Sequence, residues 1–305
     1  MADMNKRIDE TTGVETVGHE WDGIEELNNP LPRWWLWTFY ACIAFAAVYV
    51  VLYPAIPGLH SASAGTLGWT SRGDLAKEMS AADASRAAVR AAIAATPIEQ
   101  LASKPNLQRA AIDGGRAAFK VNCVQCHGAG AAGGKGYPNL NDDDWLWGGD
   151  IAAIHQTLQD GVRQPGDDAT RMSQMPAFGR DGILTAAQVQ DVVSHVRVIS
   201  GQEQASPSAT RGAAVFSANC AVCHGANGEG NRMVGAPKLT DGIWLYGGDR
   251  ATLTETVTNA RYGVMPAWGA RLDPVTVKML ATYVHSLGGG EKVPAAAAAP
   301  QAAAK

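Results

Sequence analysis

The sequence predicts an all-α protein: one N-terminal membrane-spanning helix followed by two small tandem helical domains of a single design. Three observations predict it. Residues 34–53 read WWLWTFYACIAFAAVYVVLY, twenty positions without a charge. Residues 109–200 and 210–288 repeat one another motif by motif. Strand-like alternation is nearly missing from both copies.

Residues 1–33 form a polar lead with eight acidic side chains (Asp3, Asp9, Glu10, Glu15, Glu20, Asp22, Glu25 and Glu26). Pro30 and Pro32 stop any earlier helix and lead into the apolar run. At about 1.5 Å of rise per residue, twenty residues cross the roughly 30 Å of a bilayer's hydrocarbon. Trp34, Trp35, Trp37 and Tyr53 stand at its ends, where amphipathic rings prefer the interface. Ala62-Ser63-Ala64 resembles a signal-peptide cleavage site, but signal peptides begin with a short basic stretch and this run follows a long acidic one. A retained single-pass anchor is the expectation. Arg33 abuts one end and the first basic residue beyond the other is Arg72, which places the N-terminus inside. Cys42, within the run, reads as a small apolar residue.

Pro54, Pro57 and Gly58 end the anchor and open a spacer over 54–108, in which Leu75 to Ala95 has helical character that Pro97 terminates. The first copy then reads CVQCH, YPNL, WLWGGD and MPAFG; the second reads CAVCH, APKL, WLYGGD and MPAWG. Each copy ends in a further periodic segment. Residues 201–209 link the copies, and 289–305, rich in Gly, Pro and Ala, read as a disordered tail.

Cys123, Cys126 and His127, and again Cys220, Cys223 and His224, form Cys-x-x-Cys-His. Two thiols three apart lie on one side of a helical turn and can capture both vinyl groups of a haem, while the adjacent imidazole meets the iron. A disulfide would not require the histidine, and a zinc site would require a further pair at suitable spacing. The expectation is two covalently bound haem c groups in class I-like cytochrome c domains. Met175 and Met265, each in Met-Pro-Ala-aromatic-Gly, are the expected sixth ligands, each within its own copy; a thioether favours reduced iron. Met172 has no counterpart in the second copy, and Met233 follows His224 too closely to reach around a haem. His155 and His195 are alternatives for the first iron, but neither meets a histidine in the other copy, and His285 shares that weakness. Each ligating imidazole needs a partner for its second nitrogen, and the carbonyls of Pro138 and Pro237 are placed to serve. Haem propionates call for Arg or indole N–H partners: Arg163 and Arg261 hold similar positions before the methionines, and Trp145 matches Trp244.

The stretch HEWDGIEELNNPLPRWWLWTFYACIAFAAVYVVLYP followed by two c-type modules closely resembles the dihaem subunit of bacterial cbb3-type cytochrome c oxidases, over about residues 19–288. The acidic W-D-G-I-E-E-x-N-N-P-L-P-R-W-W lead is its specific part. The resemblance implies a complex with a haem–copper catalytic subunit and a monohaem cytochrome subunit, with oxygen reduced elsewhere in that complex. A soluble donor cytochrome c would then supply electrons. Thiol attachment of haem outside the bacterial inner membrane puts the C-terminal bulk in the periplasm. Two other functions fit the motifs: a free-standing anchored dihaem shuttle or the cytochrome subunit of a periplasmic dehydrogenase, and a haem enzyme such as a peroxidase. The acidic lead argues against a mere tether, and the methionines argue against an open iron. The formal charge of −4 marks no nucleic-acid binder. Residues 110–200 carry seven basic against ten acidic side chains and residues 207–290 seven against five, so a basic donor is expected at the first copy, near Asp142, Asp143 and Asp144.

Overall fold

The computed structural model describes residues 6–292. It divides into two compact units, Met1–Ser85 and Arg86–Lys305.

In the first unit, strands β1 (Thr16–Trp21) and β2 (Ile24–Leu27) form an antiparallel hairpin in which Trp21 pairs with Ile24 and Glu20 with Glu25. Asp22 and Gly23 turn it with φ of +50° and +84°. Two positive φ values in a two-residue loop match the twist of the flanking strands, and Asp-Gly accepts them at least cost. Arg7 anchors the hairpin through Glu25 at 2.6 Å. Helix α1 (Arg33–Leu52) follows, with Pro32 at its N-cap. None of its side chains is buried, and it is long and apolar enough to cross a membrane. The chain then folds back so that Thr66 and Leu67 donate to the carbonyls of Val51 and Leu52 at the helix end. Helix α2 (Ser71–Ala95) begins in this unit and finishes in the next.

The second unit holds the repeats. After a 3-10 turn at Ile98–Ser103, the first copy folds as α3 (Pro105–Asn122), the single turn α4 (Val124–His127), α5 (Ile151–Asp160) and α6 (Ala186–Ile199). The second folds as α7 (Pro207–Asn219), α8 (Ala221–His224), α9 (Arg250–Asn259) and α10 (Pro274–His285). Asp150 caps α5, accepting from the backbone N–H of Ala152 and Ala153, and Asp249 caps α9 through Thr252. The last residue of each Trp-Leu-aromatic-Gly-Gly-Asp motif is therefore a helix start.

The copies do not close on themselves. Helix α3 packs against α10, and α7 packs against α6. Gly115 lies on the backbone of Met279 and the Cβ of Tyr283; Gly212 lies on the backbone of Asp191 and the Cβ of His195. A Cβ at either glycine would collide with main chain, so each crossing depends on a missing side chain. One core joins Phe119, Cys123, Ile151, Ile154 and Leu158 to Val277, Leu280 and Val284 of the second copy's last helix. The other joins Phe216, Leu239 and Leu253 to Phe178, Val189, Val192 and Val196 of the first copy. The ranges 109–200 and 210–288 mark the repeat, while each core is built across it.

Of the expected tail, residues 289–292 are described and held in place: the Trp145 indole donates to the Gly289 carbonyl at 2.7 Å, the Glu291 N–H donates to the Gly149 carbonyl, and the Glu291 carboxylate accepts from the Gly149 N–H and pairs with Arg232. Residues 293–305 lie outside the described part, as do residues 1–5 of the lead.

Candidate haem centres

Each Cys-x-x-Cys-His turn begins where a long helix breaks. Cys123 ends α3 and Cys220 ends α7, and the next turn is held by His127 N–H to Cys123 C=O and His224 N–H to Cys220 C=O, both at 2.9 Å. Among the described residues all five cysteines are free, so no disulfide competes for these thiols. Burial pushes the thiols of Cys123 and Cys220 up to about 11. Cys42 is exposed on α1.

His127 Nδ1 meets the Pro138 carbonyl at 3.1 Å, and His224 Nδ1 meets the Pro237 carbonyl at 2.9 Å, the second-nitrogen partners expected from spacing. With Nδ1 donating, each Nε2 is left as the ligating atom. Burial lowers both histidine pKa values, keeping the imidazoles neutral and available to a metal.

The methionines stand opposite to expectation. Met265 packs against the core that contains Cys123, and Met175 against the core on which Cys220 also packs. The backbone explains why. Met265 exchanges two bonds of 2.9 Å with Val162, and the following Trp268 and Gly269 donate to the carbonyls of Leu158 and Gln159 on α5. In mirror fashion, Gly179 and Arg180 donate to Thr258 C=O on α9. Each methionine loop is thus pinned to the middle helix of the other copy. Met172 is 61% exposed and Met233 86%. His195 lies against Phe216 within the α6–α7 crossing, the rings tilted and 5.2 Å apart between centroids. His155 lies on α5, its pKa lowered first by burial and then by Lys278, and His285 bonds to the Glu291 carbonyl.

The Arg163–Arg261 correspondence does not survive. Arg261 donates to Thr256 Oγ1 and Thr252 C=O and lies over the Tyr246 ring at 4.6 Å. Arg171 does the same with Thr157, Ala153 and the Trp147 ring, so Arg171 is the counterpart. Both stand four residues before their methionine; extra residues in the first copy displaced the alignment. Arg163 belongs to that insertion. Trp145 and Trp244 do correspond: each ring lies flat on the second glycine of its Gly-Gly pair, where a Cβ would strike it. They differ in that Trp145 Nε1 has the Gly289 carbonyl, whereas Trp244 Nε1 is buried without a partner. A cleft of about 560 Å³ opens beside Met175, lined by Pro176, Tyr246, Arg261 and Tyr262. Paired thiols, free Nε2 atoms, thioethers packed against the same cores and an orphaned indole donor form a set that fits haem c.

The family described as "Cytochrome C oxidase, cbb3-type, subunit III" matches residues 110–196 and 207–284, and the "N-terminal domain of cytochrome oxidase-cbb3, FixP" matches residues 13–60. The chain belongs to the cbb3-type cytochrome c oxidase subunit III family. It is 54% identical to the cbb3-type cytochrome c oxidase subunit CcoP of Cereibacter sphaeroides over 276 residues, 90% of this chain and 95% of that one. It is 53% identical to the FixP subunit of Azorhizobium caulinodans over 93% of this chain and 96% of that one, and 51% identical to FixP of Rhizobium meliloti over 95% and 100%. Membership makes this a membrane-anchored, haem c-binding electron-transfer subunit of a cytochrome c oxidase. The fold bears out the expected class, one apolar N-terminal helix ahead of cytochrome c domains, with the small hairpin as an addition.

Proposed function

We propose that the chain holds two haem c groups covalently, one on Cys123 and Cys126 and one on Cys220 and Cys223, ligated crosswise as His127–Met265 and His224–Met175. It takes electrons from a soluble donor cytochrome c and passes them toward the oxygen-reducing haem–copper subunit, beside a monohaem cytochrome subunit. The haem domains face the periplasm and the N-terminus the cytoplasm of the inner membrane. When bound, the two groups supply reversible one-electron transfer. The chain's own residues hold and tune them: the proline carbonyls orient each imidazole, the thioethers favour reduced iron, and Trp244 offers an indole N–H to a propionate.

The observation that carries the crosswise assignment is the packing of Met265 with Cys123's core and of Met175 with Cys220's. The same crossing changes the donor argument. The two physical bodies are closer to residues 110–162 with 263–290, which carry five basic and seven acidic side chains, and residues 171–262, which carry eight and seven. The contrast in charge narrows. Of the expected acidic patch only Asp143 is exposed, and burial together with Asp241 pushes Asp144 up to about 6. Any electrostatic guidance of a basic donor by this loop therefore rests chiefly on Asp143 and is weaker than the sequence implied.

The test removes one attachment site at a time. With Cys220 and Cys223 replaced by Ala, Met265→Leu should lower the potential of the remaining haem and open it to carbon monoxide, while Met175→Leu should do neither. The reverse outcome would return each methionine to its own copy.

A further inference from the structure

The insertion that displaced Arg163 from the repeat alignment places it between the two methionine loops. Its backbone lies at the centre of a short ladder. Val162 bridges Arg171 in parallel on one side and Met265 antiparallel on the other. Arg163 N–H donates to the Arg171 carbonyl at 2.9 Å. One neighbour of the ladder leads into Met175, and the other is Met265 itself. The side chain then spans the same gap. Arg163 Nε donates to the Gly263 carbonyl at 2.6 Å, and Nη1 donates to the Ser173 carbonyl at 3.0 Å. Both acceptors stand two residues before a methionine. The guanidinium also lies over the Tyr262 ring at 5.8 Å. Arg163 adopts φ of +53°, in the left-handed region that disfavours a side chain. Residues persist there only where their surroundings over-determine them.

We propose that Arg163 is a positioning residue for both sixth ligands: one guanidinium fixes the approach of Met175 and of Met265, so that the two iron sites share a single support. This rests on the crosswise methionine ligation proposed above. A planar fork suits the task because its donors diverge in fixed directions toward two carbonyls, which one ammonium cannot copy. The sharing also links the sites physically, because a shift of Arg163 moves both loops.

The test is Arg163→Gly in the full-length, haem-loaded protein. Glycine keeps the positive φ without strain, so only the side chain is lost. Covalent haem content should stay at the parent's level. The weak red-end absorption band of methionine-ligated ferric haem should diminish, both midpoint potentials should fall, and carbon monoxide should bind at both irons. Arg163→Lys should leave a smaller loss. The proposal is overturned if Arg163→Gly leaves both potentials in place, or shifts only one. Met175→Leu and Met265→Leu separate the two levels of the argument. If these remove the band while Arg163→Gly does not, the shared support fails and the ligation stands. If they leave the band intact, the ligation fails and the shared support falls with it.

Discussion

The two copies of the cysteine–histidine motif use the same parts to different ends. Both have a glycine at the helix crossing, an Asp cap, a proline carbonyl on the histidine, and an arginine over an aromatic ring four residues before the methionine. They differ in what surrounds those parts. The first copy has an insertion between α5 and Met175, and its indole N–H is taken by the strap at Gly289. The second has no insertion, and its indole N–H is buried without a partner. Local sequence therefore sets the pieces of each site, and the long-range crossing decides which pieces meet.

The sharpest way to break the comparison is at the helix crossings. Gly115→Ala should force α3 off α10, and Gly212→Ala should force α7 off α6, each costing about 3 kcal/mol by overpacking against backbone. Chemical denaturation of the two variants reads the cost. The crossing makes a further demand: Gly115→Ala should disturb the iron that the proposed ligation gives to Met265, and Gly212→Ala the one it gives to Met175. A disturbance confined to the methionine of the same copy would contradict the packing described.

A smaller effect separates the caps. Asp150 satisfies two backbone donors on the helix that carries the Met265 loop, so Asp150→Ala should cost about 1 kcal/mol. Asp249, with one backbone donor, should cost less when replaced. Thermal melts of the pair would show the ranking, and equal losses would remove it.

A difference that depends on pH concerns Asp144, whose place in the second copy is taken by Ile243. Its folded-state pKa of about 6 lies above the ordinary value, mainly through burial. The native protein therefore binds more protons than the unfolded chain between about pH 4 and 6, and stability falls as the pH rises through that window. Asp144→Asn should stabilise by about 1 kcal/mol at pH 7, allowing for the screening of a half-exposed group, and by almost nothing at pH 4. A gain that is equal at both pH values would assign the effect to packing.

Much of this was legible in the chain itself. The anchor, the cap of α1 at Pro32, the Cys-x-x-Cys-His turns and the proline carbonyls all depend on short spacings that local chemistry enforces. The hairpin was missed because its strands are short and acidic, although Asp22-Gly23 between Trp21 and Ile24 was its signal. The tail's Gly and Pro composition concealed Glu291, whose ion pair with Arg232 belongs to tertiary structure. The exchange of halves left no local trace. Helix α3 meets α10 and α7 meets α6, pairings set by contacts far apart in sequence.

That exchange has a consequence in time. About 140 residues separate Cys123 from Met265, and a ribosome adds about 5–20 residues per second. The first thiol pair thus emerges about ten seconds before the segment that closes over it, whereas Met175 is already made when Cys220 appears. Under the crosswise ligation proposed above, the earlier thiols precede their methionine loop and the later ones follow theirs. Two repeated motifs are in this way given opposite orders of synthesis relative to the loops proposed to close them by a single crossing of the chain.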